Sequence, residues 1–180
     1  MGKFFRRVAL SQSSPPRVGK MLRKLRSPSI RSTKSTAFPI ISDLHLEINQ
    51  QYSSFKIPAL AKYLILAGDV GRLTDYHAYR DFIRQLTTRF ELVFLVLGNH
   101  DFYNGTFAAG LGLEKAKQLE RDPSLDGRLV IIHPKRYDIP RTRVSILGCT
   151  LWSAVPHHLR GIVQAKVKDF KRIEGWTGWP

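Results

Sequence analysis

Three short apolar runs, each ending in polar residues that could bind a metal or move a proton, constrain this chain more than any other feature. Phe38 to Ile41 leads into Asp43-Leu44-His45, Tyr63 to Ala67 into Gly68-Asp69, and Leu92 to Leu97 into Gly98-Asn99-His100-Asp101. Asp69 lies 26 residues after Asp43, and Asn99 lies 30 residues after Asp69, each about the length of a strand, helix, strand unit that returns parallel in one sheet. The carboxyl ends of parallel strands lie side by side, so Asp43, His45, Asp69, Asn99 and His100 are expected to line one crevice.

That crevice would hold two aspartates, an asparagine and two histidines with no thiolate, since Cys149 is the only cysteine. Oxygen and imidazole donors suit Mn, Fe or Zn better than a Cys-rich structural zinc site. A carboxylate can bridge two cations about 3.5–4 Å apart, which together can hold a phosphoryl group and activate a water for in-line attack. Asp69, central in the order, is the natural bridge. Glycines at 68 and 98 allow close approach of backbone and substrate. His100 is placed to protonate a leaving oxygen, with the neighbouring Asp101 carboxylate to orient it. Each short motif alone would carry little, because an Asp or Asn at a strand end is more often a turn or cap residue. The ordered set reverses that balance.

The three blocks resemble the calcineurin-like metallophosphoesterase family, whose pattern is Asp-x-His, then Gly-Asp, then Gly-Asn-His-Asp or -Glu, each after a hydrophobic strand. The resemblance is specific from Phe38 to Asp101 and continues more softly through Leu147–Trp152, Asp169-Phe170 and Gly175-Trp176-Thr177. It implies an α/β fold, a four-layer α/β/β/α sandwich, and a centre of two divalent transition metals. Asp43 and His45 would bind one metal, Asp69 would bridge, Asn99 would bind the other, and His100 would assist the leaving group. The family's later histidines, including a Gly-His-x-His pair, have no counterpart here. The resemblance therefore implies the first two-thirds of a catalytic domain, with a sandwich incomplete at the C-terminus and weak catalysis by the chain as it stands. The function implied is metal-dependent hydrolysis of a phosphoester. A non-catalytic remnant or binding module of the same fold is the alternative.

Composition sets the remaining bounds. With 43% hydrophobic residues among 180, the chain can bury a single domain's core. Its net charge of +15 is uneven: residues 1–36 carry ten Lys or Arg and no acid, leaving 29 − 10 = 19 bases against 14 acids beyond. Residues 1–36 thus read as an unpacked basic extension and 37–180 as the catalytic domain. The extension suggests nucleic acid only weakly, and it resembles a mitochondrial presequence. With one cysteine and no secretory pattern, the expected location is cytoplasmic, with mitochondrial as the alternative. The longest apolar stretch, Leu92 to Leu97, is far short of a membrane span. Between the blocks, Tyr76, Tyr79, Phe82, Ile83, Leu86 and Phe90 recur at helical spacing after Thr74 or Asp75 as a cap. A second helix is expected over 106–121, with strands at Leu129–Ile132 and Val144–Leu151. His133, His157 and His158 read as strand-end and loop residues, and Trp152, Trp176 and Trp179 as packing groups. Tyr103 reads equally as pocket lining or packing. Oligomeric state, substrate and metal identity stay open.

Overall fold

The computed structural model describes residues 37–104 and 109–176. The expectations for residues 1–36, for the first turn of the second helix and for Trp179 lie outside the described residues. Four parallel strands form the main sheet in sequential order: β1 (Ile40–Ile41), β2 (Tyr63–Ala67), β3 (Leu92–Val96) and β4 (Leu129–Ile131). Register pairs Ile41 with Leu66 and Ala67 with Val96, so the three motif-bearing ends stop at nearly the same level.

Alternation along these strands decides both faces. Leu64, Leu66, Val93, Leu95, Leu129 and Ile131 are buried with the helix side of the core. That side is covered by α1 (Tyr76–Thr87) and α2 (Ala109–Glu120), through Tyr79, Phe82, Ile83 and Leu86 of the first and Ala116 and Leu119 of the second. Complete burial of each large apolar side chain contributes about 1.5–3 kcal/mol. The expected apolar stripe on α1 is therefore the packed one, although Tyr76 is only half-buried. The expected cap differs: Asp75 flanks the helix start, but its carboxylate accepts from Tyr52 Oη at 3.0 Å and pairs with Arg72 at 3.2 Å.

The other face carries Tyr63, Phe94, Val130 and Ile132, which meet Ile146 of a second, antiparallel sheet and Ile139 just past its first strand. That sheet is the hairpin β5 (Lys135–Asp138) and β6 (Ser145–Gly148). Helices, parallel sheet and hairpin give three layers of the expected sandwich, and the hairpin's outward face carries exposed Leu147. Short helices α3 (Arg160–Lys166) and α4 (Asp169–Arg172) follow.

Candidate metal centre

After β1 the chain leaves the sheet but stays tied to the loop after β2. Asp43 N donates to Gly68 O at 3.1 Å, His45 N to Asp69 O at 2.9 Å and Leu46 N to Val70 O at 2.9 Å. Asp43, His45 and Asp69 all have left-handed backbones, with φ of 56°, 47° and 52°. Such conformations cost of order 1–3 kcal/mol each for side-chain-bearing residues, and they concentrate where function fixes a side chain. Here they bring one ligand atom from each of Asp43, His45 and Asp69 within 4.8 Å of the others.

The β3 end closes on the same point. A Cβ on Gly98 would lie 2.1 Å from Asp69 Oδ1, so the carboxylate occupies the space a side chain would take. Gly68, at φ 95°, packs against Gly98 in turn. Asp69 Oδ1 accepts the backbone N–H of His100 at 2.9 Å. Asn99 donates through Nδ2 to Asp169 Oδ1 at 2.9 Å and to Tyr103 Oη at 3.3 Å, while Tyr103 Oη itself donates to Asp169. With its nitrogen so engaged, the amide keeps its oxygen for another partner. Burial and the Asp169 carboxylate push the Tyr103 hydroxyl well above the usual phenol range.

The expected pairing of Asp101 with the His100 ring is not what forms. Asp101 is fully buried; its Oδ2 accepts from Gly98 N at 2.7 Å and Asp69 N at 3.1 Å, and its Oδ1 from Tyr79 Oη at 2.8 Å. The 3-10 turn His100–Phe102 points this carboxylate inward, where it ties the β2 and β3 loops together. Burial, the largest influence, pushes the Asp101 carboxyl up to about 7 against the lowering effect of its hydrogen bonds. Glu47 stands beside the imidazoles instead, its Oε1 3.3 Å from His45 Nδ1 and 3.4 Å from His100 Nδ1. The sequence reading passed over Glu47, although it sits only two residues past His45.

All six sequence-derived site residues thus gather at one sheet edge, with Asp101 beneath it. His133 does not join them: its Nδ1 lies 3.3 Å from Thr150 Oγ1, and burial holds its imidazole below the ordinary range. His157 and His158 are exposed on a 3-10 turn. A cleft of about 420 Å³ opens over the edge, lined by Asp43, Asp69 and Asn99 together with Trp152, Val163 and Trp176. The two indoles lie 4.0 Å apart between ring centroids, tilted by 36°.

The residues fit a divalent metal. Oxygen and imidazole donors converge, the Gly98 cradle makes room for the Asp69 carboxylate, and Glu47 Oε2 is buried with no hydrogen-bond partner among the described residues. An uncompensated buried carboxylate oxygen is costly unless a cation stands near. A family description of calcineurin-like phosphoesterases matches residues 38–144, more than half of the chain. This chain belongs to the calcineurin-like phosphoesterase family. As a calcineurin-like phosphoesterase it is 24% identical over 144 residues to the uncharacterized protein L509 of Acanthamoeba polyphaga mimivirus, covering 74% of this chain and 50% of the relative. Its fold is similar to the crystal structure of the phosphopantetheinyl hydrolase PptH of Mycobacterium tuberculosis, with a TM-score of 0.50, 21% identity, and coverage of 77% of this chain and 55% of that one. The chain therefore spans about half the length of the proteins it matches. Calcineurin-like phosphoesterases use divalent metals, and this member carries candidate ligand groups for them.

Proposed function

We propose that residues 37–180 form a metal-dependent phosphoester hydrolase domain with a binuclear centre of Mn, Fe or Zn. The carrying observation is the convergence of Asp43, His45 and Asp69 within 4.8 Å at the sheet edge. Asp43 and His45 would hold one metal, Asp69 would bridge, and Asn99, steadied by Asp169, would hold the second. Bound metals would supply charge to polarise the phosphoryl group and activate water. The chain's own contributions are orientation and proton handling. Asp69 is held by the His100 backbone amide, Asp101 fixes the two loops from below, and the His100 side chain would donate a proton to the leaving oxygen. Trp152 and Trp176 line the same cleft as the carboxylates and would limit water around the substrate.

No helix among the described residues is long and apolar enough to cross a membrane. We place the protein in the cytoplasm, with the mitochondrion as the alternative that the basic start raises. One observation favours the rival reading, a non-catalytic binding module: the two candidate ligand groups, Asp43–His45–Asp69 and His45–Glu47–His100, draw on the same His45. Metal analysis after purification without chelator separates the two. About two metals per chain, with Mn-dependent hydrolysis of an aryl phosphodiester abolished by Asp69→Asn, supports the hydrolase. One metal or none, without turnover, supports the module.

A further inference from the structure

The buried, half-partnered Glu47 carboxylate sits in one of the two candidate ligand groups, with His45 and His100, yet none of the roles assigned above to metal ligands or reacting groups is its own. Its side chain is only 10% exposed, and Oε1 faces two imidazole nitrogens while Oε2 faces none. We propose, resting on the hydrolase reading, that Glu47 is a positioning residue which accepts the Nδ1–H of both His45 and His100. That turns the Nε2 of His45 to the metal and the Nε2 of His100 to the leaving oxygen of the substrate.

A neutral imidazole carries one N–H, and the hydrogen bond at one nitrogen decides which atom is left free. Metal-binding histidines almost always donate the other ring N–H to a carboxylate, carbonyl or water, which fixes ring orientation and tautomer. A carboxylate oxygen has two lone pairs, so Oε1 can serve both donors, at 3.3 and 3.4 Å. The rings stand edge to face at 4.4 Å, an arrangement that lets both Nδ1 atoms reach one oxygen. Tyr103 stacks on His100 at 4.1 Å and restricts its remaining rotation.

Two other nearby carboxylates, Asp101 and Asp69, are engaged elsewhere. Asp101 is taken up by Gly98 N, Asp69 N and Tyr79 Oη, and Asp69 Oδ1 meets the backbone rather than the ring of His100. Glu47 itself is held from both sides by backbone. The buried Leu46 donates its N–H to Val70 O at 2.9 Å and accepts from Gln51 N at 2.8 Å, and the 3-10 turn Ile48–Gln50 begins directly after Glu47. The carboxylate therefore points at the histidines by virtue of the fold. One residue couples a metal ligand to the group at the leaving oxygen.

The test is the tautomer of each ring. The full chain labelled with 15N-histidine, kept metal-free by chelator at about pH 8 where an ordinary imidazole is neutral, is read by long-range 1H–15N spectra. Single His→Gln variants assign the peaks. The expected wild-type result is a proton on Nδ1 of both His45 and His100. Glu47→Leu should move His45 to the Nε2–H form and weaken zinc binding by calorimetry about 10-fold. Glu47→Gln, whose amide oxygen still accepts, should lose less in both. Wild-type rings protonated on Nε2, or spectra unchanged in Glu47→Leu, would overturn the proposal. Turnover is a separate readout: Nδ1–H tautomers without hydrolysis would sink the hydrolase reading alone, and hydrolysis with Nε2–H tautomers would sink this one alone.

Discussion

Gly98→Ala is the substitution whose effect follows most directly from the geometry. The added methyl would lie 2.1 Å from Asp69 Oδ1 and 2.5 Å from Asp69 N, where contacts below 3.0 Å are essentially never seen. The carboxylate must therefore retreat by about 0.9 Å and the backbone nitrogen by about 0.5 Å, which also strains the His100 N–H bond to Oδ1. Metal bonds of about 2.0–2.2 Å tolerate errors of roughly 0.2 Å, so a displacement of this size removes Asp69 from any shared ligand position. The expected loss is at least about 10-fold in metal affinity and on the order of 100-fold in any turnover, with about 1–3 kcal/mol of stability from overpacking. Competition against a fluorescent zinc chelator measures the first, and urea unfolding with EDTA the last. Gly161→Ala is the control: nothing lies within 4 Å of its Cβ, and α3 should gain roughly 0.5–1 kcal/mol. Metal affinity of Gly98→Ala within twofold of wild type would refute the reasoning.

Other perturbations separate the roles. Tyr79→Phe removes the hydroxyl from Asp101 Oδ1 and leaves a buried oxygen unpaired, which should cost about 1–3 kcal/mol in urea unfolding; unchanged stability would contradict the bond. Asp101, with a folded value near 7 against an ordinary 3.8, favours its protonated form in the native state. Its contribution to stability is thus fully present below about pH 4 and lost as pH rises through 7, by up to roughly 4 kcal/mol. In metal-free protein Asp101→Asn should flatten that part of the pH–stability curve, and a variant tracking wild type from pH 4 to 8 would show that the carboxyl is not held protonated. Asp169→Ala releases Asn99 Nδ2 and Tyr103 Oη and should weaken metal binding about 10-fold by calorimetry, with Asp169→Asn losing less; equal losses would deny Asp169 an orienting role.

The parallel sheet was legible because β2 and β3 are continuous apolar runs, the mark of strands covered on both faces. The β5 strand was not, since Lys135-Arg136-Tyr137-Asp138 turns only Tyr137 inward, against Phe94. The strand expected through Leu151 stops at Gly148, and Thr150 beyond it donates to Leu97 O at the cleft. The gathering of Asp43, His45, Asp69 and Asn99 at one sheet edge could be read from spacing because each follows a strand end by two to four residues. Asp101 was misread by adjacency: a 3-10 turn sends neighbouring side chains to different sides, His100 to the His45 and Glu47 side chains and Asp101 to the core. Glu47 depends on the left-handed backbone at His45, which no composition signal marks. Asp169 reaches Asn99 across 70 residues, a separation at which no local pattern links them.

The central claim is that Asp43, His45 and Asp69 hold a divalent metal at the end of the parallel sheet. Anomalous diffraction from crystals of the chain grown with Mn tests it without reference to turnover. The account predicts an anomalous peak within about 2.0–2.4 Å of the Asp43, His45 and Asp69 ligand atoms, with Asn99 Oδ1 at a second peak about 3.5–4 Å away. Mn bound elsewhere, or a crevice without anomalous signal at saturating Mn, would contradict it.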